Sequence, residues 1–188
     1  VPFASAAARG GARVPFCRPI PITDKGEGDY CKDVIRSSCA SYLQYMVAQK
    51  RAYINNSIIL HTNRGGSSTV TSDNINISQT WIVSQYQGEY NPWHQHSGDL
   101  SGVIYLQLPE NMEEFHMKEM QDHYPCNGMI QFMTGEKQSL RSDTITFKPE
   151  VGKLLIFPSW LKHSVFPFYV EGERRSMSFN AYYRNVKK

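Results

Sequence analysis

Long hydrophobic runs are missing from this sequence: no apolar stretch approaches the roughly 18 residues that a membrane-spanning helix requires. An excess of charge of either sign is missing too. The 20 Lys and Arg against 17 Asp and Glu leave a formal net charge of +3, with no basic stripe or patch of the kind that holds nucleic acid. The expectation is a soluble protein with neither a membrane nor a nucleic acid as partner. Cysteine is sparse: the 4 are Cys17, Cys31, Cys39 and Cys126, with no CxxC pairing and no zinc-finger spacing. Cys31 and Cys39 fall near one face of a predicted helix and are read as buried thiols. A reducing compartment, cytoplasmic or an organelle interior, fits that usage better than an oxidising one. Internal repeats and low-complexity tracts are also absent.

What is present fits an ordinary globular chain. At 188 residues, 40% hydrophobic and 12% aromatic, it is long enough for one well-buried domain and short for two. Residues 1–22, "VPFASAAARGGARVPFCRPIPI", contain no acidic residue and carry Arg9, Arg13 and Arg18 among small ones. That composition fits the remnant of an organelle transit segment, an appended sequence or a flexible arm. The expected division is an arm over 1–25, flexible or extended, and a single domain over 26–188.

Apolar residues at helical spacing (Val34, Cys39, Leu43, Tyr45, Met46) predict an amphipathic helix over 29–49. A candidate strand, "SIILHT" (57–62), and a polar loop (64–74) follow. From Ile75 the chain turns into short β-branched and aromatic runs broken by Gly, Pro, Asn and Asp. Strands are predicted at 75–87, 102–108, 128–134, 144–149, 153–159, 163–170 and 175–184. An acidic stretch (110–124) interrupts them as a short surface helix or a loop. The fold expected is mostly β with an N-terminal helix, an antiparallel sandwich or barrel.

Two histidines, His94 and His96, stand one residue apart in "NPWHQHSGDL" (91–100). On a strand, residues i and i+2 share a face, so the two imidazoles would project together. A bare HxH is more often a solvent-facing polar pair. His163 changes the balance: it sits in the apolar segment "KLLIFPSWLKHSVFPF" and is the natural third ligand. Three nitrogen ligands with open positions suit Fe(II), Zn(II) or Cu. His61, His116 and His123 are expected to be surface or structural. Eleven residues beyond His163 begins a second polar row. In "GERRSMSFN", Arg174, Ser176, Ser178 and Asn180 share one strand face, and Arg175, Met177 and Phe179 the other. An Arg flanked by hydroxyls holds a carboxylate through charge-assisted bidentate bonds; the competing interpretation is an exposed face with two ordinary arginines.

Taken in order, His-x-His, a distal His and Arg-x-Ser resemble the signature of the Fe(II)/2-oxoglutarate-dependent oxygenases. The resemblance runs from about Trp81 to Tyr183. It points to the prolyl-hydroxylase-like branch, and within it to an oxygenase group found in marine phage and bacteria, with stretches similar to "HxHSGDLSGVIYL", "LIFPSWLKH" and "GERRSMSFN". What the resemblance implies is a double-stranded β-helix (jelly roll, cupin-like) and a dioxygenase using Fe(II), 2-oxoglutarate and O₂. Such an enzyme forms succinate and hydroxylates a substrate, with a prolyl residue the first guess. His94 and His163 would be iron ligands. Arg174 would pair with the distal carboxylate of 2-oxoglutarate beside Ser176 and Tyr105. Arg175 is the competing binder, disfavoured because it faces with Met177 and Phe179. The chain departs from most of that superfamily at His96, where Asp or Glu is usual. His96 is favoured as third ligand because of its i+2 position, with Asp99 as the alternative. Tyr86, Tyr90 and Trp93 are candidate substrate contacts, and Asn180 is a residue that points near the iron. Two rival readings stand beside this one: a three-His cupin-type dioxygenase that needs no 2-oxoglutarate, and a non-catalytic structural or binding subunit with this fold.

Overall fold

Alternation in the β-rich half decides the architecture. Along "LSGVIYLQ", Leu100 and Ile104 pack to one side and Val103 and Tyr105 to the other, so both faces of that strand are covered. The computed structural model describes residues 16–19, 27–48, 70–112, 126–135, 139–140 and 142–184. Among them run β1 (Phe16–Pro19), α1 (Glu27–Ala48), β2 (Ile75–Tyr86), β3 (Asn91–His94) and β4 (Leu100–Gln107). After these come β5 (Ile130–Met133), β6 (Thr144–Phe147), β7 (Leu154–Pro158), β8 (His163–Val165) and β9 (Glu173–Tyr183).

The strands form two antiparallel sheets, one ordered β1-β2-β9-β4-β7 and the other β3-β8-β5-β6. From β2 onward, successive strands alternate between the sheets until β5 and β6 pair, and then alternate back. This is the strand order of a jelly roll, a double-stranded β-helix. One core, between the sheets, holds Val103, Tyr105, Ile130, Phe132, Phe157 and Val165. A second core lies on the outer face of the five-stranded sheet, where α1 covers Leu100, Phe179 and Ala181.

Several expectations are corrected here. The buried stripe of α1 is Ile35, Cys39, Ala40 and Leu43, at i, i+4, i+5 and i+8, whereas Val34 and Tyr45 are exposed. Cys31 is likewise exposed, one turn before the first buried residue of that stripe; Cys39 and Cys126 are buried. Residues 16–19, within the arm expected over 1–25 as flexible or extended, are extended and pair as an edge strand with β2. The strand predicted over 163–170 ends at Val165, since Pro167 has no N–H to donate and the chain turns to give its Phe166 N–H to Met129 O. Val70, placed in a polar loop, is buried against α1. The strand expected at 57–62, His61, His116 and His123 lie outside the described residues.

Candidate metal centre and anion pocket

Three elements bring three imidazoles together. His94 closes β3 and stands opposite His163, the first residue of β8. His96 lies past the end of β3, so strand parity does not place it. Its backbone N–H donates to Ser159 O at 2.9 Å, and Ser159 N–H donates to Asp99 O at 3.2 Å. The Ser159 hydroxyl also bonds Gly98 O. These links fasten the Ser97-Gly98-Asp99 bend to the turn after β7 and swing His96 to the others. Gly98 sits at φ +100°, where an added Cβ would meet Ala181 O at 2.9 Å. The bend therefore requires glycine.

Candidate ligand atoms of His94, His96 and His163 all lie within 4.8 Å of one another. His94 Nδ1 is 2.7 Å from Pro92 O and His163 Nδ1 2.9 Å from Leu161 O. A carbonyl only accepts, so both Nδ1 atoms carry the proton and both Nε2 lone pairs are free for a metal. Burial, then the charge His94 would carry, hold His96 down to about 4. Burial also lowers His163 to about 4, reinforced by the neighbouring histidines and opposed by its bond to Leu161. Both are thus neutral at neutral pH, the state that metal binding requires. Phe157 and Phe132 pack beside His163 with ring centroids 4.8 and 5.6 Å away.

Beside this cluster is a cavity of about 220 Å³ whose lining includes the three histidines, Trp81, Gln85, Asn91, Phe157, Arg174, Ser176 and Ser178. Arg174 is 2% exposed, its guanidinium carbon 4.9 Å over the Tyr105 ring. Its Nη1 donates to Gln85 Oε1 at 3.3 Å, while its Nε and the Tyr105 hydroxyl have no partner of hydrogen-bond geometry. Burial pushes the Tyr105 hydroxyl up, countered by the Arg174 charge. Burial lowers Arg174 itself, countered by Tyr105. A buried guanidinium with an orphaned N–H calls for an anion. A neutral three-nitrogen set fits a divalent metal ion, and the orphaned Nε fits a carboxylate, so the residues present fit Fe(II) and 2-oxoglutarate.

The polar row on β9 divides as its alternation requires. Arg174, Ser176 and Ser178 line the cavity, whereas Met177 and Phe179 pack beneath α1. Arg175 is exposed and paired with Glu173 at 2.6 Å. Asn180 is buried but does not line the cavity; its Oδ1 accepts from Ser101 Oγ at 2.7 Å. Asp99 is not in the imidazole cluster, because its Oδ2 accepts the Tyr183 N–H at 2.9 Å. Tyr86, Tyr90 and Trp93, the proposed substrate contacts, are 49%, 43% and 44% exposed and do not line the cavity. Trp93 alternates away from His94, and Tyr86 from Gln85. Sequence reasoning missed Trp81, Gln85 and Asn91. The first two share a β2 face with Val83, where a Gln among apolar neighbours was the available signal.

Residues 79–180, just over half of the chain, match the family described as "Putative 2OG-Fe(II) oxygenase". No curated protein matches by sequence. Among solved structures, a prolyl-4-hydroxylase from Pseudomonas putida aligns over 95% of this chain and 76% of its own, at 17% identity and TM-score 0.49. A 2OG-Fe(II) oxygenase family oxidoreductase from Burkholderia pseudomallei aligns over 57% of this chain and 44% of its own length, at 15% identity and TM-score 0.41. A cupin domain from Bordetella pertussis aligns over 57% and 90%, at 13% identity and TM-score 0.33. The jelly roll is established by the strand order itself. The matched segment spans every residue of the imidazole cluster and the Arg174 row, and the chain belongs to the 2OG-Fe(II) oxygenase family.

Proposed function

We propose that the chain is an Fe(II)- and 2-oxoglutarate-dependent hydroxylase. In this reading His94, His96 and His163 hold Fe(II), and Arg174, with Ser176 and Tyr105 beside it, holds the distal carboxylate of 2-oxoglutarate. The observation that carries it is one cavity bounded by three convergent imidazoles and by a buried guanidinium with an orphaned N–H. Bound there, Fe(II) supplies the redox chemistry that couples decarboxylation of 2-oxoglutarate by O₂, giving succinate and CO₂, to hydroxylation of a substrate C–H bond.

The protein's own part is holding and exclusion. His94 and His163 are locked by their Nδ1 bonds with Nε2 exposed to the ion. Phe157, Val103 and Ile130 keep the cavity wall apolar, which strengthens the pull of Arg174 on an anion. The cavity, about 220 Å³, is smaller than the roughly 300–1,000 Å³ of sites that enclose a drug-sized ligand. Little of it is left once the oxo acid is bound. The primary substrate therefore presents a small group at the partly exposed His94 and His96 side, and a prolyl ring in a peptide is the substrate proposed.

The test is anaerobic addition of Fe(II) and 2-oxoglutarate, followed by the visible charge-transfer absorption of the chelate, metal content and succinate formation. Absorption that disappears in both Arg174→Ala and His96→Ala supports the proposal. A third His in place of a carboxylate leaves the bound ion one unit more positive and favours one rival, a three-His dioxygenase. Bound iron without 2-oxoglutarate binding would select that rival. No iron would select a non-catalytic subunit.

A further inference from the structure

Gln85 stands directly opposite Arg174 in the β2–β9 register, so both side chains project from the same sheet face. It is fully buried, at 0% exposure. Its Nε2 donates to Glu89 O at 2.6 Å and to Phe166 O at 3.1 Å. Both amide hydrogens are thereby committed to carbonyls that can only accept. The amide cannot flip, and its Oε1 must face the guanidinium, where it accepts from Arg174 Nη1 at 3.3 Å. Glu89 is in turn held by its own side chain, whose Oε2 accepts the Tyr86 N–H at 2.9 Å.

We infer that Gln85 is a specificity-determining residue of the oxo-acid pocket: its locked, neutral amide oxygen orients Arg174 and leaves the guanidinium charge for a distal carboxylate. The inference rests on the proposed function of this site. A buried Arg needs a partner to hold its plane. The usual partner, a carboxylate, would cancel the charge and turn the end of the cavity neutral. An amide supplies the acceptor without the charge. A Gln85→Glu change alters little but that charge, and also sets it against two backbone carbonyls.

The consequence is a selectivity that can be measured without turnover. Protein loaded with Mn(II) is titrated calorimetrically with 2-oxoglutarate and with 2-oxopentanoate, which has the same carbon chain but no distal carboxylate. The wild type is expected to prefer 2-oxoglutarate. Gln85→Glu should lose about 30-fold or more in 2-oxoglutarate affinity, the cost of removing a buried charge partner, with 2-oxopentanoate and Mn(II) affinities changed little. Gln85→Met keeps the side-chain length, removes the acceptor, and should lose about 10-fold or more, the scale of a hydrogen bond to a charged group. A 2-oxoglutarate to 2-oxopentanoate ratio that stays within about threefold of wild type in a folded variant overturns the inference, and so does failure of both variants to fold. Absence of 2-oxoglutarate binding in the wild type overturns instead the functional reading beneath it.

Discussion

Gly102 is the place where packing allows no side chain. It stands opposite Phe179 in the β4–β9 register, and that ring, 0% exposed, lies across it beneath α1. A Cβ added at Gly102 would meet Phe179 Cζ at 2.3 Å, Cε1 at 2.4 Å and Leu155 O at 2.7 Å. Strand propensity alone argues the other way, since Gly inside a strand costs about 0.5–1 kcal/mol relative to Ala. The clash wins, because the ring is enclosed and the carbonyl belongs to the β4–β7 ladder. Overpacking costs about 1–3 kcal/mol, so Gly102→Ala is expected to destabilise by about 1–2 kcal/mol net. For a domain of this size each kcal/mol moves the Tm by about 2–4 °C, so a drop of about 2–8 °C follows, with a matching fall in urea midpoint. Phe179→Leu removes the two colliding ring atoms but leaves the Leu155 O contact at 2.7 Å, so in that background Gly102→Ala should still destabilise, by about 1 kcal/mol less than in the wild type. A raised Tm in Gly102→Ala, or an equal cost in both backgrounds, refutes the reasoning.

Other expectations concern the site. For metal-free protein, His163 ordinarily titrates at 6.5 but is held to about 4 in the folded state. The unfolded chain therefore takes up the proton first as pH falls, and stability present above about 6.5 is lost toward 4, roughly 2 kcal/mol of it by about pH 5. His163→Asn, which keeps a donor for Leu161 O, should flatten the urea midpoint against pH; identical profiles would contradict the burial argument. Arg174→Met removes a buried cation with an orphaned N–H. Its Tm should hold or rise while 2-oxoglutarate affinity falls, and a loss above about 2 kcal/mol would make the guanidinium a fold element instead. Asp99→Ala should keep its metal and lose about 1 kcal/mol of stability with the bond to Tyr183 N–H. Metal loss equal to that of His96→Ala would return Asp99 to the ligand set.

How much was legible follows from what alternation can carry. On β9 the two-residue period separates Arg174 and Ser176 from Met177 and Phe179, and the structure keeps that separation. Trp93 fails by the same rule, since adjacency to His94 in sequence puts its side chain on the opposite face. His96 joins the cluster by a route strand parity does not describe, a backbone bond to a turn about 60 residues away. Gln85 carried only the mark of a Gln among apolar neighbours, because two of its partners, Phe166 O and Arg174, lie 81 and 89 residues away along the chain. In α1, Cys39 and Leu43 were read on the buried face, but Val34 and Tyr45 were read there too because they are apolar, whereas the stripe that meets the sheet runs through Ile35, Cys39 and Leu43.

Strand β9 is hydrogen-bonded on both sides, to β2 and to β4, and its partners on β2 lie about a hundred residues back along the chain. Contacts that distant in sequence are slow to form, because the entropy of closing so long a loop comes due before they do. Until β9 inserts, β2 and β4 present two open edges, each a template for pairing with another molecule. The strand that closes both edges also carries Arg174, so acquisition of the anion anchor and protection from edge-to-edge aggregation are one event in the life of the newly made chain.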